Sequence, residues 1–124
     1  MREIKFKAWD KKQKKMLSWR RIQHSFESYW WSYKNGGNYI LMEYTGLKDK
    51  NNKEIYEGDI VVAEDGYGNK WRGVVEYKDK HTAFFVEGEN VAAILGWHLT
   101  DNYGVFAEVI GNIYENPELL KKEE

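Results

Sequence analysis

Residues 44–61, Tyr44-Thr45-Gly46-Leu47-Lys48-Asp49-Lys50-Asn51-Asn52-Lys53-Glu54-Ile55-Tyr56-Glu57-Gly58-Asp59-Ile60-Val61, leave the chain few ways to fold. No helical period survives the two glycines and the six polar residues from Lys48 to Lys53. The stretch reads as strand, exposed loop, tight turn, strand. Tyr39 to Thr45 places Ile40, Met42 and Tyr44 on one face, and Gly46 is expected to close that strand. Asn51-Asn52 suits left-handed backbone positions. Gly58 supplies a positive φ to the turn Glu57-Gly58-Asp59 at no steric cost. Ile60 to Ala63 is the apolar strand that follows.

The same grammar runs along the rest of the chain. Residues 3–9 alternate, with Ile4, Phe6 and Ala8 on one face and Lys5, Lys7 and Trp9 on the other. The polar turn Asp10-Lys11-Lys12-Gln13-Lys14-Lys15 leads into Met16, Leu17 and Trp19, so residues 3–20 read as a hairpin with lysines crowded at its tip. Short runs at Trp71–Tyr77 and Thr82–Glu87, joined by Gly- and Asp-rich turns, predict a meander in a small SH3-like barrel or a curled antiparallel sheet, and Val105–Ile113 reads as a last strand. Two stretches are ambiguous. Ile22, Phe26, Tyr29, Trp30 and Tyr33 recur at helical spacing, while their aromatic character favours a strand. Residues 91–99 are apolar without a clear period. Asn116-Pro117-Glu118 reads as a helix start, with Asn as N-cap and Pro at the first helical position.

A single mostly-β domain over residues 1–124 is the expectation, since this length buries a real core without staples. The chain has no cysteine, which excludes disulfides and thiolate metal sites and fits a cytoplasmic protein. No apolar run has the length of a bilayer span, so no membrane role is expected. The net charge of −1 hides an asymmetry. Residues 1–21 carry nine Lys/Arg against two acids, or +7, and the remainder ten against eighteen, or −8. Such opposed blocks attract one another within a fold or between copies of a chain. Aromatics make up 16% of the residues; on strands most of them serve as core or cross-strand partners, and an exposed aromatic surface that meets a partner is the alternative.

The blocks Arg2-Glu3-Ile4-Lys5-Phe6-Lys7-Ala8-Trp9-Asp10, Lys15-Met16, Tyr44 to Asn51, Glu54 to Val61 and Glu108 to Pro117 resemble the YopX family of small bacteriophage and prophage proteins. The resemblance spans nearly the whole chain. It implies a β-rich fold encoded by phages or integrated prophages, and it brings no established activity or catalytic residues. Residues 22–38 and 64–104 match no pattern of the family.

The sharper chemistries find little support. His24, His81 and His98 lack ligand spacing, so no metal is expected. Asp49-Lys50-Asn51 begins like a calcium loop, but Lys53 falls at the third ligand position and Glu54 at the obligatory glycine. Gly66-Tyr67-Gly68 opens like a dinucleotide loop, yet Trp71 stands where the third glycine belongs, so no cofactor is expected. Glu54, Glu57 and Asp59 are close enough in sequence for acid–base work, but Asp59 is expected to bond its own turn. The expectation is therefore a non-enzymatic protein acting by binding, as a homo-oligomer with an unidentified protein partner. Phe26, Tyr29, Trp30 and Tyr33 are the candidate interface. The alternative is a weak nucleic-acid-binding module using Lys5, Lys7, Trp9, Lys11, Lys12, Lys14 and Lys15. The acidic balance of the remaining chain disfavours it.

Overall fold

A computed structural model describes residues 3–24, 39–64, 68–89, 91–95 and 106–121. The fold divides into two compact units, residues 1–44 and 45–124.

The first unit is built on the expected hairpin. Strands β1 (Phe6–Asp10) and β2 (Lys15–Leu17) pair antiparallel, with Trp9 opposite Met16. On its other side β1 pairs antiparallel with β3 (Tyr39–Lys48), Ala8 facing Leu41. The helix α1 (Trp19–His24) follows β2. Ala8, Leu17 and Ile22 form the buried centre, flanked by Trp19, Tyr39 and Leu41. Two expectations need correction here. Trp19 belongs to α1 rather than to a strand, because Ser18 starts the helix: its Oγ accepts from the Arg21 amide at 3.3 Å and its carbonyl from the Ile22 amide at 3.0 Å. Ile4 lies before the strand and is 65% exposed, so the buried face begins beyond it.

The second unit is an antiparallel sheet, and the chain is mostly β as expected. The strands are β5 (Asp59–Glu64), β6 (Lys70–Lys78), β7 (Ala83–Glu87), β8 (Ala92–Ile94) and β9 (Phe106–Asn112), in the order β8-β7-β6-β5-β9. β5 to β7 form the predicted meander, β8 extends it within the stretch the pattern left ambiguous, and β9 returns to lie beside β5 with a register shift at Ile60/Val61. The core gathers Ile55, Val61, Ala63, Val75, Phe84, Val86, Leu95 and Ala107. The alternation of β7, with Phe84 and Val86 buried between half-buried neighbours, is the period-two pattern of a half-covered strand. A short strand β4 (Glu54–Tyr56) lies beside the end of β3.

Gly46 has φ +88° but does not end its strand; β3 runs through it to Lys48. Gly58, at φ +82°, makes the turn between β4 and β5 as expected. Its amide donates to Val75 O at 2.8 Å, and its carbonyl accepts from the Ile113 amide at 2.9 Å. Pro117–Leu120 forms the expected C-terminal turn, as a 3-10 helix. Asn116 does not cap it through its side chain; Asn116 Oδ1 accepts from the Asn112 amide at 3.2 Å.

Candidate functional site

The polar side chains between β3 and β5 are taken up by the backbone. Thr45, buried, donates from Oγ1 to Ile55 O at 2.8 Å and accepts from the Leu47 amide at 3.2 Å. Asp49, only 7% exposed, accepts three backbone amides: Asn51 at 2.8 Å and Lys53 at 2.9 Å on Oδ1, and Val109 at 2.9 Å on Oδ2. With Lys50 N donating to Ala107 O at 3.1 Å, the loop covers the free side of β9. Burial by itself would raise the Asp49 carboxyl. The amides of Val109, Lys53 and Asn51, helped by the Lys53 charge, outweigh that and hold it below the usual range. Asn52, at φ +66°, takes the left-handed position expected of it.

Of the three carboxylates considered for acid–base work, two meet Tyr56 and the third lies near Tyr114. Asp59 Oδ2 accepts from the buried Tyr56 amide at 2.8 Å, the turn bond expected of it. Glu54 Oε1 accepts from the Tyr56 hydroxyl at 3.2 Å. The Tyr114 hydroxyl is pushed up by burial and then by the charge of Glu57. Among the described residues no group of three or more His, Cys, Asp or Glu could hold a metal ion. No described helix is long and apolar enough to cross a membrane.

The basic hairpin is as the pattern suggested at its tip and different along its strand. Lys11, Lys12, Lys14 and Lys15 are all exposed. The buried Asp10 fixes the turn, its Oδ1 accepting the amides of Lys12 at 3.0 Å and Gln13 at 2.9 Å, and Lys14 takes φ +53°. Lys5 is not outward: its side chain is 14% exposed, its Nζ lies 4.8 Å from the centroid of the Tyr44 ring, and Glu3 pairs with it at 3.4 Å. Lys7 and Trp9 are half-buried and have partners of their own. The interface candidates Phe26, Tyr29, Trp30 and Tyr33 lie outside the described residues.

One concavity of the second unit was not foreseen. A groove of about 540 Å³ opens between the end of β7 and the C-terminal turn. Its lining includes Trp71, Val74, Val91 and Leu120, the last two 42% and 45% exposed. Glycines make room for the Trp71 indole. A methyl on Gly73 would come within 3.0 Å of Cζ3, and one on Gly88 within 3.0 Å of Cε3. Arg72 Nη1 donates to Leu119 O at 2.9 Å and ties the turn to β6. Charges of both signs edge the groove: Arg72 and Lys121 from β6 and the turn, Glu87 and Glu89 from the end of β7. Glu87 pairs with Lys78 Nζ at 2.5 Å. That bond, then one from Glu76, holds the Glu87 carboxyl below the usual range. Burial, then the bond to Glu87 and its charge, raises Glu76. The exposed apolar residues near the C-terminus were the available sequence signal, but nothing local joins them to β6.

The family model described as YopX protein matches residues 5–121. The chain belongs to the YopX family. Protein EF1440 from Enterococcus faecalis is 27% identical with a TM-score of 0.64, the match covering 98% of this chain and all of that one. YopX from Bacillus subtilis is 21% identical with a TM-score of 0.58 over the full length of both chains, a likeness of fold. No curated protein matches the chain. The blocks that carry the YopX resemblance are thus placed. Thr45, Asp49, Gly58 and Asp59 fold the second unit. Gly111 is confined by Asn116, whose Oδ1 a methyl there would meet at 2.6 Å. Asn112 Oδ1 accepts the amides of Tyr114 at 3.0 Å and Glu115 at 2.8 Å. Thr45, Asp49, Asp59 and Asn112 hold the backbone of the second unit through their side chains.

Proposed function

We propose that this YopX-family chain is a non-catalytic binding protein. It serves a phage or prophage in the bacterial cytoplasm and works as a homo-oligomer whose copies meet at the groove beside Trp71. The carrying observation is the composition of that groove. Its apolar lining is edged by two cations and two carboxylates. A two-fold contact sets each patch against its own image, and a patch that carries both signs can then pair the Arg72 and Lys121 of one copy with carboxylates of the next. Such self-complementarity favours a second copy over a polyanion, which the carboxylates repel. A large aromatic wall with exposed aliphatic neighbours is the usual material of a contact centre. The non-catalytic reading draws on Asp49 and Asp59, whose carboxylates are already committed to backbone amides.

Light scattering on the full chain tests this. The wild type is expected as a defined oligomer, and Leu120→Glu or Val91→Glu as a monomer with unchanged circular dichroism, because both side chains are exposed. A monomeric wild type at about 100 μM would overturn the reading, since contacts weaker than that fall below about 5.5 kcal/mol. So would an oligomer indifferent to both substitutions.

A further inference from the structure

The exposed cations of the hairpin tip and of α1 have no partner among the described residues. Lys11, Lys12, Lys14, Lys15, Arg20 and Arg21 are exposed, and none forms a side-chain ion pair or hydrogen bond with a described residue. The described acids of residues 1–44 are engaged elsewhere. Asp10 is buried and holds two turn amides, Glu3 pairs with Lys5, and Glu43 has a partner of its own. Over residues 1–44 the sequence carries ten Lys/Arg against four acids, a charge of +6. Like charges held together on an ordered turn repel one another, so the arrangement gains from an external polyanion.

We propose that the β1–β2 tip and α1 bind the phosphate backbone of nucleic acid without reading its sequence. This is independent of self-association through the groove. A duplex is the densest regular array of negative charge such a cluster meets, and each lysine placed on a phosphate releases counterions. The lysines of the tip suit phosphate contact better than base reading. Lysine is a point charge without the planar fork of arginine, and Lys11-Lys12-Gln13-Lys14 presents no aromatic ring for stacking. The same lack of an apolar side chain leaves the tip without an anchor for a membrane surface. An oligomer would present several tips at once and gain from avidity.

The test uses the full chain and a labelled 30-base-pair DNA duplex, read by fluorescence anisotropy. Four to six phosphate contacts give a salt slope of about −4 to −5, a loss of about 10²–10³-fold in affinity between 50 and 200 mM salt. A duplex of unrelated sequence is expected to bind equally well. In the first variant Lys11, Lys12 and Lys15 become Gln and Lys14 becomes Asn, which tolerates the left-handed backbone there. It is expected to bind at least 100-fold more weakly, with the slope reduced by about 3–4. A second variant, Arg20→Gln with Arg21→Gln, leaves the turn untouched and is expected to reduce the slope by about 2. No binding at 50 mM salt, or binding that neither variant changes, would overturn the proposal. Stronger binding to phosphatidylglycerol vesicles or to polyglutamate than to DNA would overturn it in favour of a lipid or protein partner. Because Leu120→Glu touches none of these residues, a monomeric variant that still binds DNA keeps the two readings separable.

Discussion

Replacing Asp49 is expected to damage the fold more than any other single carboxylate change in the loop. In Asp49→Ala three backbone donors lose their acceptor. Two of them, Asn51 and Lys53, lie in an exposed turn where water can substitute, and each contributes about 0.5–1 kcal/mol. The third, Val109, sits on a half-buried strand and bonds to an ionised group, contributing about 1.5–3 kcal/mol. The expected cost is about 3–4 kcal/mol, a large share of the 5–15 kcal/mol typical of a folded chain. Asp49→Asn keeps one oxygen for the turn but can set an amide donor against the Val109 N–H, for about 2–3 kcal/mol. The pH dependence follows from the lowered carboxyl. A group whose folded value lies below its unfolded value of 3.8 stabilises fully above that value and loses the contribution as the pH falls through the folded one. Asparagine does not titrate, so the gap between wild type and Asp49→Asn should be constant from neutral pH to about pH 5 and narrow below pH 4. Urea unfolding at a series of pH values measures it. A cost for Asp49→Ala below about 1 kcal/mol, or a gap that widens in acid, would refute the staple.

Gly111→Ala should cost about 1–3 kcal/mol, because its methyl would meet Asn116 Oδ1 at 2.6 Å and push it off the Asn112 amide. The double variant with Asn116→Ala should recover part of that in urea unfolding, and strict additivity would show that the two do not interact. Glu76→Gln should raise the urea midpoint at neutral pH. The Glu76 carboxyl is raised by burial and by Glu87, so its charged form is disfavoured in the folded chain. The gain should vanish below its ordinary value of 4.5, where the acid is protonated in both states, and a gain that persists there would point to a cause other than ionisation.

Local pattern alone determined much of this protein. Alternation and turn chemistry place the hairpin at β1–β2, the meander from β5 to β7 and the turns at Asn52 and Gly58, because backbone preferences are set by a residue and its near neighbours. Asp59 was legible for the same reason: its partner is three residues away. The family blocks were readable as well, and they mark residues that fold the chain. The reach of local reasoning ends where a partner is distant. Asp49 looks like the first ligand of a failed calcium loop, and only the return of β9, 60 residues on, shows a carboxylate built to hold a strand amide. Lys5 alternates as a solvent-facing residue, but pairing of β1 with β3 brings Tyr44 over it. Trp71 stands in sequence where a glycine motif breaks. In space it rests over Gly73 and Gly88 and becomes the wall of a groove completed by residues near the C-terminus. Periodicity assigns a side chain to a face; the register of strands far apart in the chain decides what covers that face and which of its polar groups remain available to a partner.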